Sequence, residues 1–315
     1  MLRRILTVGN SMFTIHTGVD DLPSGEGEIR ASRCSFAPGG AGALVSVALS
    51  RGGLDSVLCS KLGGDMNGSL IRQTISDAGV DTRFISIDTR RKTSTVIIAS
   101  DTEGKMSKMR YEGAISSFSS DDIEDAFTCY PDYSYICGDM AIPRIEDALE
   151  FSKQQDIPVF YDARKNNGFR FNKENMPVIE MLIVGPKEVE QLSGIAPLDI
   201  QTCFDAVIKL SVQIKAKYFA VDLGCRGSAI YDGKTMQVER SYTDPADIAD
   251  PSKLSAAFSS ALICDYLSSH DAMSAIRHGE AARAYCASKD GTVSAFPTKE
   301  ELENYIIRQG IGKDD

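Results

Sequence analysis

The residues best placed to do chemistry lie where short apolar runs end. Ile248–Leu267, IADPSKLSAAFSSALICDYL, reads as the end of an extended run, a turn at Asp250-Pro251-Ser252, and a helix. Asp250 or Ser252 can serve as N-cap, and Pro251 suits a first helical turn. Leu254, Ala257, Phe258, Ala261, Leu262 and Tyr266 recur at helical spacing, which predicts one buried face. A helix N-terminus leaving a sheet carries free N–H groups and roughly +0.5 charge, so it attracts anions, phosphate above all. Three further stretches have similar settings. Asp222-Leu223-Gly224-Cys225-Arg226-Gly227 forms a glycine-rich turn between two apolar runs, Pro186–Glu190 opens a helix after a run, and Asp162 closes another run. In α/β sheets the carboxyl ends of strands are where ligands collect. Asn10, Ser11 and Thr14 follow the first apolar run and can hydrogen-bond a polyol.

Elements that position these residues are legible in order. Ile5–Asn10 is a first strand, and residues 11–38 alternate as strands with no helix between them. Gly39-Gly40 opens a helix over Ala43–Ser50, a strand covers Val57–Leu62, and a helix runs from Met66 to Asp77. Residues 93–113 read as a β-hairpin around Asp101-Thr102-Glu103-Gly104. From Asp121 onward strands (Tyr133–Cys137, Pro158–Asp162, Met181–Val184, Tyr218–Asp222) alternate with helices (Asp121–Phe127, Arg144–Gln155, Lys187–Ser193, Ile200–Ala216). That alternation predicts a parallel sheet covered on both sides, and residues 272–289 and 298–308 supply two closing helices.

Composition bounds the rest. A chain of 315 residues with 43% hydrophobic and 25% charged residues builds an ample core. A net charge of −10 argues against nucleic acid or an anionic membrane as a partner. No apolar run approaches the ~20 residues that span a bilayer, and the N-terminal run is too short for a signal peptide. The eight cysteines show no CxxC or zinc spacing and read as buried reduced thiols of a cytoplasmic protein.

The ordered set of motifs resembles the ribokinase/PfkB-type carbohydrate kinases. Pro38–Gly53 is similar to the family's G-G-x-x-x-N-x-A-x-x-x-x-x-L-G through Gly39, Gly40 and Gly53, with Leu44 where the family has a sugar-contacting Asn. Gly63, Asp65, Gly68, Gly79 and Val80 match G-x-D-x-x-G … GV, and Asp162 opens a D-x-N-x-R run whose Asn and Arg read Arg164 and Asn166. Pro186 and Glu190 match P-N-x-x-E, with Lys187 for the Asn; Gly224 and Gly227 match T-x-G-x-x-G, with Asp222 for the Thr. The C-terminal signature D-T-x-G-A-G-D-x-F aligns Asp250 with the first Asp and Phe258 with the Phe, so G-A-G-D reads Lys253-Leu254-Ser255-Ala256. In a second register Asp244 takes the first Asp and Asp250 becomes a surrogate base.

The resemblance implies a ribokinase-like three-layer α/β/α sandwich over residues 1–315, with a small β-sheet lid from about 11–38 and 93–113, and a homodimer through the lid. It implies ATP-dependent phosphoryl transfer, with Mg²⁺, to a sugar, nucleoside or polyol. Asp222, Gly224, Gly227, Lys187 and Glu190 would face the nucleotide; Asn10, Thr14, Gly39, Gly40, Leu44 and Asp162 the acceptor; Lys253, Leu254, Ser255 and Ala256 the anion hole. No set of protein ligands for a metal is expected. A methyl group at Ala256 cannot take a proton, and side chains at 253 and 255 crowd a turn the family keeps bare. The expectation is therefore weak or lost transfer, the alternative being a non-catalytic relative that binds a metabolite, nucleotide or protein partner. An Asp222 carboxylate beside phosphate would repel it, and a Lys253 ammonium can bind phosphate or reach solvent.

Overall fold

The computed structural model describes residues 3–138, 143–164, 176–245, 248 and 253–312. In chain order, β1 (Arg4–Val8), β2 (Met12–Val19) and β3 (Ala31–Gly39) precede α1 (Ala41–Arg51), β4 (Asp55–Gly63), α2 (Met66–Asp77), β5 (Ile85–Asp88), β6 (Thr95–Ser100) and β7 (Met106–Tyr111). Then come α3 (Ser120–Phe127), β8 (Tyr133–Cys137), α4 (Ile145–Gln154), β9 (Val159–Asp162), β10 (Ile179–Val184), α5 (Pro186–Ser193), α6 (Ile200–Gln213) and β11 (Ala216–Asp222). The chain closes with β12 (Ser228–Tyr231), β13 (Met236–Glu239), α7 (Leu254–Ser269), α8 (Ala272–Ala287) and α9 (Lys299–Gln309).

The main sheet runs β13-β12-β11-β10-β9-β8-β1-β4-β5, parallel from β11 to β5 with an antiparallel hairpin at the other edge. Its central strands are apolar on both faces; every residue of β10, IEMLIV, is buried. Such strands need cover on both sides. Helix α7 packs on α1 and α8, while α3 packs on α4 and α5 on α6. Strand order reverses between β1 and β8, because the chain first builds outward through β4 and β5 and then returns. That is the switch point at which a doubly wound sheet opens a crevice. A second sheet, β3-β2-β6-β7, forms the lid, its Met12, Thr14, Val96 and Ile98 facing the ends of β8 and β9 across a cavity.

Local chemistry explains the boundaries. Asp65 caps α2, accepting from Gly68 N at 2.9 Å, and it ties the lid entrance by accepting from Thr93 Oγ1 at 2.6 Å. Gly40, at φ +90°, starts α1 where an added Cβ would lie 2.6 Å from the Asn10 carbonyl, so only glycine fits. The helix expected to reach Ala216 stops at Gln213, because Ile214 is extended and β11 already begins at Ala216. Arg144 is a left-handed N-cap rather than a helical residue. Helix α7 is buried nearly all round rather than on one face, since it is wedged between α1 and α8. Five cysteines are buried and none forms a disulfide, but Cys34 and Cys225 are exposed, contrary to the buried-thiol expectation. Among the described residues no helix is long and apolar enough to cross a membrane.

Candidate functional site

Between the lid and the switch point lies a cavity of about 160 Å³. Thr14, Gly39, Gly40 and Leu44 line one wall, Asp162 the floor, and Ser255 and Ala256 of the first turn of α7 the opposite wall. Asn10 does not line it. That residue is fully buried, and its carbonyl accepts from Ala43 N at 3.1 Å to hold the start of α1. Asp250, with its surrogate-base register, lies outside the described residues, as does Asn166.

Two of the four anion-hole positions are out of reach of a ligand. Leu254 and Lys253 are buried in the core and line no part of this cavity. Lys253 neither offers charge to a phosphate nor reaches water. Its ammonium donates to the carbonyls of Lys289 and of Gly291, the latter at 2.7 Å, and pins the 289–291 loop to the start of α7. A buried cation needs such partners to offset its lost hydration.

The group that does meet α7 is Arg164, two residues past the end of β9. Its Nη2 donates to Ser259 Oγ at 2.6 Å and to the Ser255 carbonyl at 3.3 Å. The same guanidinium donates from Nε to Asp162 Oδ1 at 2.8 Å, and from Nη1 to Asp222 Oδ2 at 2.5 Å. Arg283 of α8 donates to the other Asp222 oxygen at 2.5 Å and lies over the Phe258 ring, 4.7 Å from its centroid. Burial pushes the Asp222 carboxyl up, but Arg283 and Arg164 outweigh it and hold it below its ordinary value. The repulsion expected of Asp222 is thus cancelled by two guanidinium groups. Glu280, on α8 beside Arg283 (3.5 Å), is fully buried, and burial pushes its carboxyl up to about 7.

The remaining predicted nucleotide residues follow β10 and β11, which are parallel neighbours, so they adjoin along one edge. Gly224 and Gly227, at φ +65° and +94°, form the turn of the β11–β12 hairpin; Lys187 and Glu190 are exposed on the first turns of α5. Among the described residues no group of three or more His, Cys, Asp or Glu side chains is placed to hold a metal.

Comparison with known proteins decides the kinship. The sequence model described as pfkB family carbohydrate kinase matches residues 2–299. The chain belongs to this family. It is 22% identical to a nucleoside kinase of Methanothermobacter thermautotrophicus, covering 98% of this chain and 97% of that one. It is 24% identical to an ATP-dependent ribose-1-phosphate kinase of Halopiger xanaduensis, covering 96% and 98%. Among solved structures, Arabidopsis thaliana ribokinase complexed with ribose and ATP superposes with a TM-score of 0.83 over 97% of this chain and 99% of that one, at 20% identity. A ribokinase from Thermotoga maritima gives 0.80, at 20% identity, covering 98% and 100%. These likenesses establish the ribokinase-like fold.

Among the described residues that line this PfkB cleft, Asp162 is the one carboxylate. It already accepts from Tyr135 OH and Arg164 Nη2 on one oxygen, and from Arg164 N and Nε on the other. Four donors occupy the roughly four lone-pair sites of a carboxylate, leaving none to receive a hydroxyl proton. Sequence reasoning named Asp162 and Asp222 but missed the cations that own them, Arg164 and Arg283. Arg164 carries a local signal, an Asp-x-Arg spacing at the end of a strand; Arg283, sixty-one residues from Asp222, carries none.

Proposed function

We propose that this PfkB cleft binds ATP and a small sugar, nucleoside or polyol, and that it transfers the phosphoryl group slowly because the acceptor hydroxyl meets no general base. The observation that carries this reading is the cavity wall at α7: a methyl group at Ala256, beside an Arg164 that can donate but not accept. The named relatives, a nucleoside kinase, a ribose-1-phosphate kinase and ribokinases, support the acceptor class and the nucleotide. Phosphoryl transfer rests on positioning and charge neutralisation. The helix start and the Arg164 guanidinium can supply part of the second. A positioned base contributes about 10²–10⁴ in rate, so against a median turnover of about 10 s⁻¹ this chain should reach ~0.1 s⁻¹ or less. Magnesium would come with the nucleotide rather than be held by a cluster of the described side chains.

Adjoining surfaces support two smaller proposals. The lid face turned away from the cavity exposes Phe36, Met109 and Tyr111, an apolar patch suited to pairing lid to lid in a homodimer. Cysteines that form no disulfide fit a reducing, cytoplasmic setting.

The test measures ADP release with ATP, Mg²⁺ and a panel of ribose, fructose, adenosine and related polyols, with thermal shift on the same panel. Ligand-induced stabilisation with turnover at or below ~0.1 s⁻¹ supports the reading. Stabilisation with no turnover above background makes the chain a non-catalytic binder. Saturable turnover at ~1 s⁻¹ or above, the low end for enzymes, overturns it.

A further inference from the structure

Glu280 takes no part in the cleft, and its setting is unusual for a carboxylate. It is fully buried in α8, and neither of its oxygens accepts a hydrogen bond among the described residues. The cation beside it is Arg283, whose Nε lies 3.5 Å away. That guanidinium is already committed, because its Nη2 donates to Asp222 Oδ1 at 2.5 Å. Helix α8 packs on β12, β13, α7 and α9. Strand β12 brings the Ser228 hydroxyl toward Glu280, the end of β11 brings Asp222, and β13 brings Glu239. Glu239 is held in turn by Arg277, at 3.3 Å, and by the Tyr242 hydroxyl, at 2.6 Å. From α7 the Phe258 ring meets Arg283, while Asp265, the one carboxylate of that helix, faces His278 at 3.5 Å. The charged side chains of α9 (Lys299, Glu300, Glu301, Glu303 and Arg308) are exposed. Burial, then the Asp222 and Glu239 carboxylates, disfavour the ionised form of Glu280, against a guanidinium that it shares.

The shared guanidinium ties this buried acid to the cleft. Asp222 divides its oxygens between Arg283 and Arg164, and Arg164 lines the cleft where it meets the Ser255 carbonyl. An anion that draws on Arg164 leaves Asp222 leaning harder on Arg283, so Glu280 keeps less of that cation. The added negative charge acts in the same direction through a weakly screening interior. We infer that Glu280 is a proton site governed from the cleft through Asp222 and Arg283: an anion bound against Arg164 is accompanied by proton uptake at Glu280. The proton comes from solvent and joins a carboxylate oxygen, which becomes neutral; no other bond forms or breaks. This rests on the reading of the cleft as a place for nucleotide phosphate. Titration of the buried carboxyl near 7 makes the exchange visible at neutral pH.

The experiment is calorimetric titration of the full chain with Mg²⁺-ATP at pH 7.5, in buffers of different ionisation heat. If bound phosphate raises the Glu280 midpoint by about one unit, linkage gives uptake of about half a proton per nucleotide, and binding about fivefold weaker at pH 9 than at pH 7. Glu280→Gln removes the titrating group, so both effects should vanish in it; uptake that is equal in parent and variant belongs elsewhere and overturns the inference. The relay is read a second time without nucleotide, by ¹³C NMR of the glutamate-labelled chain. The Glu280 carboxyl, assigned by its loss in Glu280→Gln, should titrate near 7 in the parent. In Arg164→Lys, where one ammonium replaces the fork, it should titrate about half a unit or more higher. In Asp222→Asn, which releases Arg283 to Glu280, it should titrate lower. A midpoint that moves in neither variant overturns the inference whether or not ATP binds. Midpoints that move as expected while ATP fails to bind leave the relay standing and remove the nucleotide reading of the cleft.

Discussion

Arg164 holds the cleft together, and its removal gives the sharpest test of the site. The guanidinium bridges Asp162 and Asp222 with side chains that are 11%, 9% and 5% exposed, and Arg283 completes the set. Two carboxylates and two guanidiniums cancel. In Arg164→Met one buried negative charge is left over: Asp222 keeps Arg283, and Asp162 keeps only the Tyr135 hydroxyl and the backbone N–H of residue 164. Breaking a buried pair from one side costs about 3–5 kcal/mol, a large part of the 5–15 kcal/mol that holds a typical domain. Urea unfolding at pH 7 should show that loss. Arg164→Lys should recover only part of it, since one ammonium cannot serve both carboxylates as a planar fork does.

Charge, rather than packing, is identified by two further readings of the same variant. Arg164→Met with Asp162→Asn removes the stranded charge and should recover about 2 kcal/mol of the loss, less than the full ion-pair cost because the neutral amide still wants partners. Lower pH should act in the same direction. In the parent, Asp222 sits below its ordinary 3.8, so its stabilisation is present above that pH and is lost only as pH falls through the folded value. In the variant Asp222 loses one of the two guanidiniums that hold its carboxyl down, so it takes up a proton more readily and the deficit at pH 5 should be smaller than at pH 7. A loss under about 1 kcal/mol, or an Asp162→Asn change that deepens it, would refute the argument that Arg164 neutralises this floor.

Other perturbations follow from the same geometry. Glu280 titrates near 7 in the folded protein and at an ordinary 4.5 when unfolded, so the folded state holds the extra proton between those values and stability falls as pH rises through them. At about 1.4 kcal/mol per pH unit, Glu280→Gln should stabilise by up to roughly 3 kcal/mol at pH 8 and by little near pH 4, in parallel urea titrations; equal effects at both would count against it. Lys253→Met leaves the Lys289 and Gly291 carbonyls without their ammonium donor and should cost about 2–4 kcal/mol, with faster proteolysis near residue 290; an unchanged melting curve would contradict it. Ala256→Asp should raise ADP release by less than about tenfold, well short of the 10²–10⁴ a working base supplies, because the new carboxylate enters beside Arg164. A hundredfold rise would mean that the cradle is otherwise intact.

What the sequence disclosed and what it hid divide along a physical line. The alternation of strands and helices was legible because burial on both sheet faces imposes apolar runs of strand length; Tyr133–Cys137 and the helix Met66–Asp77 fall where periodicity puts them. Gly39-Gly40 was legible because a backbone at φ +90° against the Asn10 carbonyl admits no other residue. The edge strands β5 and β13, four residues each, were missed because short pairings impose little pattern. The electrostatics of the floor were also hidden. Asp222 meets Arg164 and Arg283 across fifty-eight and sixty-one residues, distances at which no local spacing operates. That Lys108 and Arg110 of β7 line the cavity depends on the register of β7 against β6, which a hairpin assignment alone does not fix.

The same line separates the signature positions that survive from those that changed. Phe258 matches the family because it is built into the wall: its ring lies under the Arg283 guanidinium, and Gly279 is small because an added Cβ would meet that ring at 2.9 Å. Asp65 matches because it caps α2 and fastens Thr93 at the lid entrance. Positions 253 to 256 have no such duty to the glycines and carboxylate they replaced. Lys253 now anchors a loop, Leu254 fills the core, and Ser255 presents its carbonyl to Arg164. Phe258 and Asp65 thus have packing and capping duties, while the described part of the turn meets two buried cations, Lys253 and Arg164. On the function proposed above, a cleft remodelled in that way binds its ligands and offers the hydroxyl proton no acceptor at Ala256.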